Sequence, residues 1–211
     1  RYDEFTDDIT EILDKGINLP QEIDDPEVFS KHIFNQCNGI KSLEVAFSMA
    51  ILDLWCQQNS YPLYEYLNAD PMQAPHTSYT ISIGDMDLIS EKVNEGDPYS
   101  ILKVKLGMGV DKDKEIMKAI RLETDKIIRV DANEGWDLET GIEMCQWLSE
   151  KGVEFVEQPF KSTNLKDTAE LRKKSPLPLI ADENSLQSGD IPGIEGIFDG
   201  INIKLMKCGS L

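Results

Sequence analysis

The sequence predicts an α/β protein built around a partial (β/α) barrel of the TIM type, with about six strands present and a helical region before them. Three observations carry this reading. Beyond residue 75, short apolar runs alternate with amphipathic helical stretches, which is the pattern of a parallel sheet made from right-handed βαβ units. One charged residue recurs at nearly the same point of each unit, namely Lys105, Asp131, Glu157, Asp182 and Lys204, at steps of 26, 26, 25 and 22 residues. Each lies at or near the C-terminal end of its strand, and those ends gather at one mouth when a sheet closes into a barrel. A doubly wound open sheet would spread them along an edge instead.

Taken in order, residues 1–75 read as helices. DEFTDDITEILDKG sets Phe5, Ile9, Ile12 and Leu13 on one face, with Gly16 as the stop. DDPEVF opens a second helix, with acids in its first turn and Pro26 where a proline is tolerated. A third helix, about Ser42 to Gln58, is apolar nearly all round and so is expected to be buried. The connector ADPMQAP marks a boundary near residue 75, giving a domain of 1–75 and a barrel domain of 76–211. The expected strands are 77–83, 100–106, 126–133, 153–159, 177–183 and 199–205. Between the third and fourth, DLETGIEMCQWLSEKG puts Leu138, Ile142, Cys145 and Leu148 on one helical face, with Gly152 at its end.

Composition narrows the function classes. With 39 acidic against 21 basic residues and a formal charge of -18, the chain is a poor partner for nucleic acid or an anionic membrane. Its four cysteines stand far apart with no Cys-x-x-Cys pair, so neither zinc nor a disulfide framework is suggested and a cytoplasmic setting is expected. No run approaches the ~18 apolar residues of a membrane span. The sequence opens on Arg rather than Met. Nothing in it decides whether the protein forms a homo-oligomer.

The segment FVEQPF, 155–160, runs an apolar strand straight into Glu157. A buried carboxylate without a partner costs several kcal/mol, so a charge there needs compensation. Asp131, Glu157 and Asp182, from consecutive strands and with no His or Cys among them, form a hard all-oxygen set suited to Mg²⁺. In SILKVKL the two-residue period of a strand turns Lys103 and Lys105 toward the barrel interior, while Leu102, Val104 and Leu106 face the helices. Lys204, in INIKL, arrives on strand six, across the mouth from strand two. Partly desolvated amines beside a divalent cation can act as bases near neutral pH. Two such bases around a metal suit removal of a proton next to a carboxylate, stabilisation of the enediolate, and return of a proton to either face. Any one of these motifs alone is ordinarily a solvated face or a helix cap. Five solvated positions would not keep step with the βα period.

The motifs KVK (103–105), DANEGW (131–136), EQP (157–159), ADE (181–183) and NIKLMKCG (202–209) resemble the enolase superfamily in its muconate lactonizing enzyme subgroup. The resemblance implies acid/base roles for Lys105 and Lys204, and Mg²⁺ ligation by Asp131, Glu157 and Asp182. It also implies that the N-terminal helices are the helical part of an α+β capping domain. Within the subgroup, the RY-x-E opening, YTISI and DANEGW look most like dipeptide epimerases of the L-Ala-D/L-Glu type. On that likeness Thr80, Lys103 and Asn133 contact a dipeptide or other small carboxylate substrate. Muconate cycloisomerases, o-succinylbenzoate synthases and N-acylamino acid racemases share the same framework, and a non-catalytic cation-binding barrel is the reading from a different class. Asn184 and Ser210 depart from the usual pattern without touching these positions. Ordinary barrel and cap sizes put about 50 residues before Arg1 and about 100 or more after Leu211. By the resemblance, strands seven and eight are where a dipeptide's ammonium group is expected to be held, so substrate choice rests largely on them.

Overall fold

The computed structural model describes residues 4–82 and 86–210. The chain divides into two compact units, Pro75–Asn202 and Arg1–Ala74 with Ile203–Leu211.

The helical unit contains α1 (Thr6–Lys15), α2 (Pro26–Phe34), α3 (Lys41–Asn59) and α4 (Leu63–Tyr66), joined by α10 (Leu205–Cys208) from the far end of the chain. Helix α2 starts where the sequence signals it. Asp25 accepts hydrogen bonds from the Glu27 and Val28 amides, and Pro26 occupies the first turn. Gly16, at φ 82°, ends α1. The core of this unit is Ile12, Phe29, Ile33, Cys37, Leu43 and Ile51. It is narrower than the apolar pattern suggests. Of the four residues expected on the α1 face only Ile12 is buried, and Phe5 and Leu13 are exposed. Helix α3 likewise buries one side and exposes Met49 and Leu54, because α2, α4 and α10 cover only part of its circumference.

The α/β unit runs β1 (Ser78–Ile81), α5 (Ile89–Glu95), β2 (Ile101–Lys105), α6 (Val110–Glu123), β3 (Ile127–Asp131), α7 (Leu138–Ser149), β4 (Val153–Glu157), α8 (Leu165–Lys174), β5 (Leu179–Ala181), α9 (Ile191–Ile194) and β6 (Gly200–Ile201). The six strands pair in sequence order and all are parallel. Alternation sorts the side chains as expected for strands with one face against helices. Leu102, Val104, Ile128, Val130 and Val156 are fully buried in the core with Met117, Ile120, Met144 and Leu148 from the helices. Burial also pushes the Cys145 thiol up to about 11, as befits an inert packing cysteine.

Strand six is shorter than the run DGINIKL predicts. The Asn202 amide still donates to Ala181, but the Lys207 and Cys208 amides turn back to the Lys204 carbonyl, so the chain coils into α10 before reaching residue 205 in extended form. The last residue of the expected first strand, Ile83, and the RY of the RY-x-E opening lie outside the described residues.

Helix α7 provides a local test. The Asp137 side chain accepts from the Thr140 amide at 2.9 Å, which holds its carboxyl below the ordinary range. Asp137→Ala should cost about 1 kcal/mol in denaturant unfolding. The folded value is the lowered one, so the difference is complete above the unfolded carboxyl's pKa of about 3.9 and fades as pH falls through the folded value.

Candidate active site

Parallel register brings the charged strand ends together. Lys105 pairs with Asp131 across β2 and β3, and Asp131 pairs with Glu157 across β3 and β4. Neighbouring strands stand about 4.8 Å apart, so paired residues present their side chains side by side on one face. Asp131 is 2% exposed and Glu157 3%.

Two buried acids at that spacing repel each other unless a cation lies between them. The Lys103 ammonium does so, at 3.0 Å from Asp131 Oδ2 and 2.7 Å from Glu157 Oε2. The other Glu157 oxygen accepts from Asn202 Nδ2 at 2.7 Å. Lys105 stands farther out, with its Nζ 3.8 Å from Asp131 Oδ2 and 3.3 Å from Asn133 Oδ1. Its side chain is 32% exposed against 19% for Lys103. The arrangement is a buried acid pair, a bridging amine, and a second amine at the rim.

The remaining expected residues are placed as follows. Thr80 is exposed and stands beside Lys103 in the β1–β2 register. Asp182 is 1% exposed and follows β5 directly, and its amide donates to Gln158 Oε1 at 2.9 Å. Lys204 is the N-cap of α10 and belongs to the helical unit. The geometry thus gathers Lys103, Lys105, Asp131, Asn133 and Glu157 into one cluster.

Two participants escaped the sequence reading. Asn202 reaches Glu157 from just past β6, and its only signal was the Asn two residues before Lys204. Gln158 is fully buried, with a left-handed φ of 39°, and its carboxamide also donates to the Phe160 carbonyl at 2.9 Å and to Asn184 Oδ1 at 2.7 Å. It ties the end of β4 to the loop after β5.

Could this site hold a divalent cation? Among the described residues no three Asp, Glu, His or Cys side chains are grouped closely enough to form a ready cage. Two carboxylates nevertheless converge on one positively charged atom, the Lys103 ammonium. The donors there are all oxygen, which matches a hard cation.

A sequence model of the Enolase C-terminal domain-like family matches residues 86–211. The chain belongs to this family. An L-Ala-D/L-Glu epimerase of Bacteroides thetaiotaomicron is 41% identical over 167 residues, which cover 78% of this chain and 43% of that protein. An L-Ala-D/L-amino acid epimerase of Flavobacterium johnsoniae is 37% identical over 190 residues, covering 90% of this chain and 56% of the relative. The chain spans about half the length of these curated relatives. Among solved structures, a dipeptide epimerase from Cytophaga hutchinsonii, complexed with Mg and the dipeptide D-Ala-L-Val, superimposes with a TM-score of 0.77 at 27% identity. That match covers 90% of this chain and 54% of the other. The α/β architecture is therefore that of part of an enolase-superfamily barrel.

Lys103 carries a measurable share of the stability of this site. Lys103→Met leaves two buried acids without their bridging charge, and urea unfolding should show a loss of about 3 kcal/mol. Asp131→Asn placed in the same variant should recover part of that loss. A single-variant loss below about 1 kcal/mol would mark the contact as an ordinary surface pair.

Proposed function

We propose that the protein is a Mg²⁺-dependent, cytoplasmic epimerase of dipeptides, which moves a proton at the α-carbon of the substrate's C-terminal residue. The observation that supports it most is the placement of Lys105, an amine at the rim of a buried acid pair, in a chain 41% identical to an L-Ala-D/L-Glu epimerase over 167 residues. Asp131, Glu157 and Asp182 are the residues assigned to hold the cation. Mg²⁺, when bound, offsets the negative charge that builds on a substrate carboxylate as the α-proton leaves.

The chain's own groups account for the rest. Lys105 takes or returns the proton from one side of the carbon, and Lys204 is assigned the other side by the NIKLMKCG motif. Lys105 has a fixed neighbour in Asn133 Oδ1, which orients an amine that would otherwise sample several rotamers. Thr80, Lys103 and Asn133 are the substrate-contacting residues of this reading. The Lys103 ammonium, beside Asp131 and Glu157, is the group assigned to meet a substrate carboxylate.

Solvent deuterium exchange tests the assignment directly. In D₂O the protein should introduce label at Cα of L-Ala-D/L-Glu or related dipeptides. Lys105→Ala and Lys204→Ala should each lose epimerisation by at least about 10²-fold while calorimetry still detects Mg²⁺ binding. Label entering N-acyl amino acids but no dipeptide would make the protein a racemase. Undiminished turnover in both variants would end the two-lysine mechanism.

A further inference from the structure

The turn after β3 passes through two consecutive non-glycine residues in left-handed backbone, Asn133 at φ 47° and Glu134 at φ 63°. Such residues cost of order 1 kcal/mol each, so their surroundings must hold them. The Asn133 amide donates to Asp131 Oδ1 at 3.0 Å, the Glu134 amide to the Gln158 carbonyl at 2.9 Å, and the Trp136 amide to the Pro159 carbonyl at 3.0 Å. A further tie comes from helix α6. Trp136 Nε1 donates to Asp113 Oδ2 at 2.8 Å.

Asp113 lies in the first turn of α6 and is fully buried. An acid there usually serves the amides of its own helix. Asp113 instead accepts the Gly107 amide on both oxygens at 3.1 Å and the Met108 amide at 3.0 Å, and so closes the loop that leaves β2. The two loops also meet backbone to backbone, since a Cβ on Gly135 would lie 2.5 Å from the Gly107 Cα. One carboxylate therefore joins the exit loop of the strand carrying Lys105 to the exit loop that follows Asp131 and contains Asn133. No other part of the proposed chemistry uses it.

We propose that Asp113 and Trp136 are positioning residues: their hydrogen bond clamps the β2 and β3 exit loops and thereby fixes Asn133 Oδ1 against the Lys105 amine. Neither is among the residues assigned to contact the substrate. The kinetic consequence rests on the proposed function, while the effect on Lys105 itself does not.

Trp136→Phe keeps the buried ring and removes only the N–H, and Asp113→Asn is the second variant. In the full-length protein, kcat for deuterium exchange should fall about ten- to hundredfold while KM changes by much less, as expected when a reacting group is misplaced more than binding is weakened. A purely structural contact would lower the melting temperature and leave that split untouched. Independently of any substrate, the acylation rate of Lys105 by an N-hydroxysuccinimide ester, read by mass spectrometry, should change severalfold while that of exposed Lys173 stays constant. If the unaltered protein labels no substrate, the proposed function fails and Lys105 acylation alone decides. An unchanged Lys105 rate in Trp136→Phe, or an unchanged kcat in an active protein, would overturn the clamp. Should Asp113→Asn fail to fold, Trp136→Phe carries both readouts.

Discussion

Everything in the α/β unit depends on the register that sets Lys105, Asp131 and Glu157 in one row. A row of charges at adjacent strand ends is unfavourable in itself, because about 4.8 Å separates neighbouring strands and both acids are nearly inaccessible to water. The sheet tolerates it because Lys103, two residues earlier on the same face, reaches both carboxylates, and because Asn202 takes the remaining Glu157 oxygen. Shifting any of these strands by one residue would turn the charges into the apolar layer under the helices. Register and site are thus one constraint.

The two faces of the sheet divide the work. The helix-facing residues supply the hydrophobic core, while the other face holds the titratable groups near the strand C-termini. Among the described residues of the α/β unit, the non-glycine positions with positive φ lie there too. Asn133, Glu134 and Gln158 all carry positive φ values, and each belongs to the turns that follow Asp131 or Glu157. Their neighbours over-determine these turns through hydrogen bonds among Asp131, Gln158, Pro159 and Asp113. Local cost concentrated beside a cluster of charged groups is the pattern of a preorganised site.

Much of this was legible in the residues. The two-residue alternation of SILKVKL separated Lys103 and Lys105 from Leu102 and Val104, and the near-constant spacing placed the acids at strand ends. What could not be read was anything that depends on reach. That Lys103 bridges two acids follows from the length of its side chain and the register of three strands, which no single segment encodes. Asn202 and Gln158 were hidden for the same reason, since an amide beside a charged motif has no periodicity of its own. Apolar pattern also overstated burial in α1 and α3, where hydrophobic residues outnumber the partners within the helical unit, and it lengthened β6 beyond the point where the backbone turns toward α10.

The central proposal is that the Asp131–Glu157 pair, held together by an amine, takes a divalent cation, with Asp182 assigned as the third ligand. Anomalous diffraction from crystals of the full-length protein grown with Mn²⁺ addresses it most directly. The account predicts one peak within coordinating distance of Asp131, Glu157 and Asp182, with the Lys103 ammonium displaced from between the first two. A peak elsewhere, or no peak with Lys103 still bridging the pair, would contradict it.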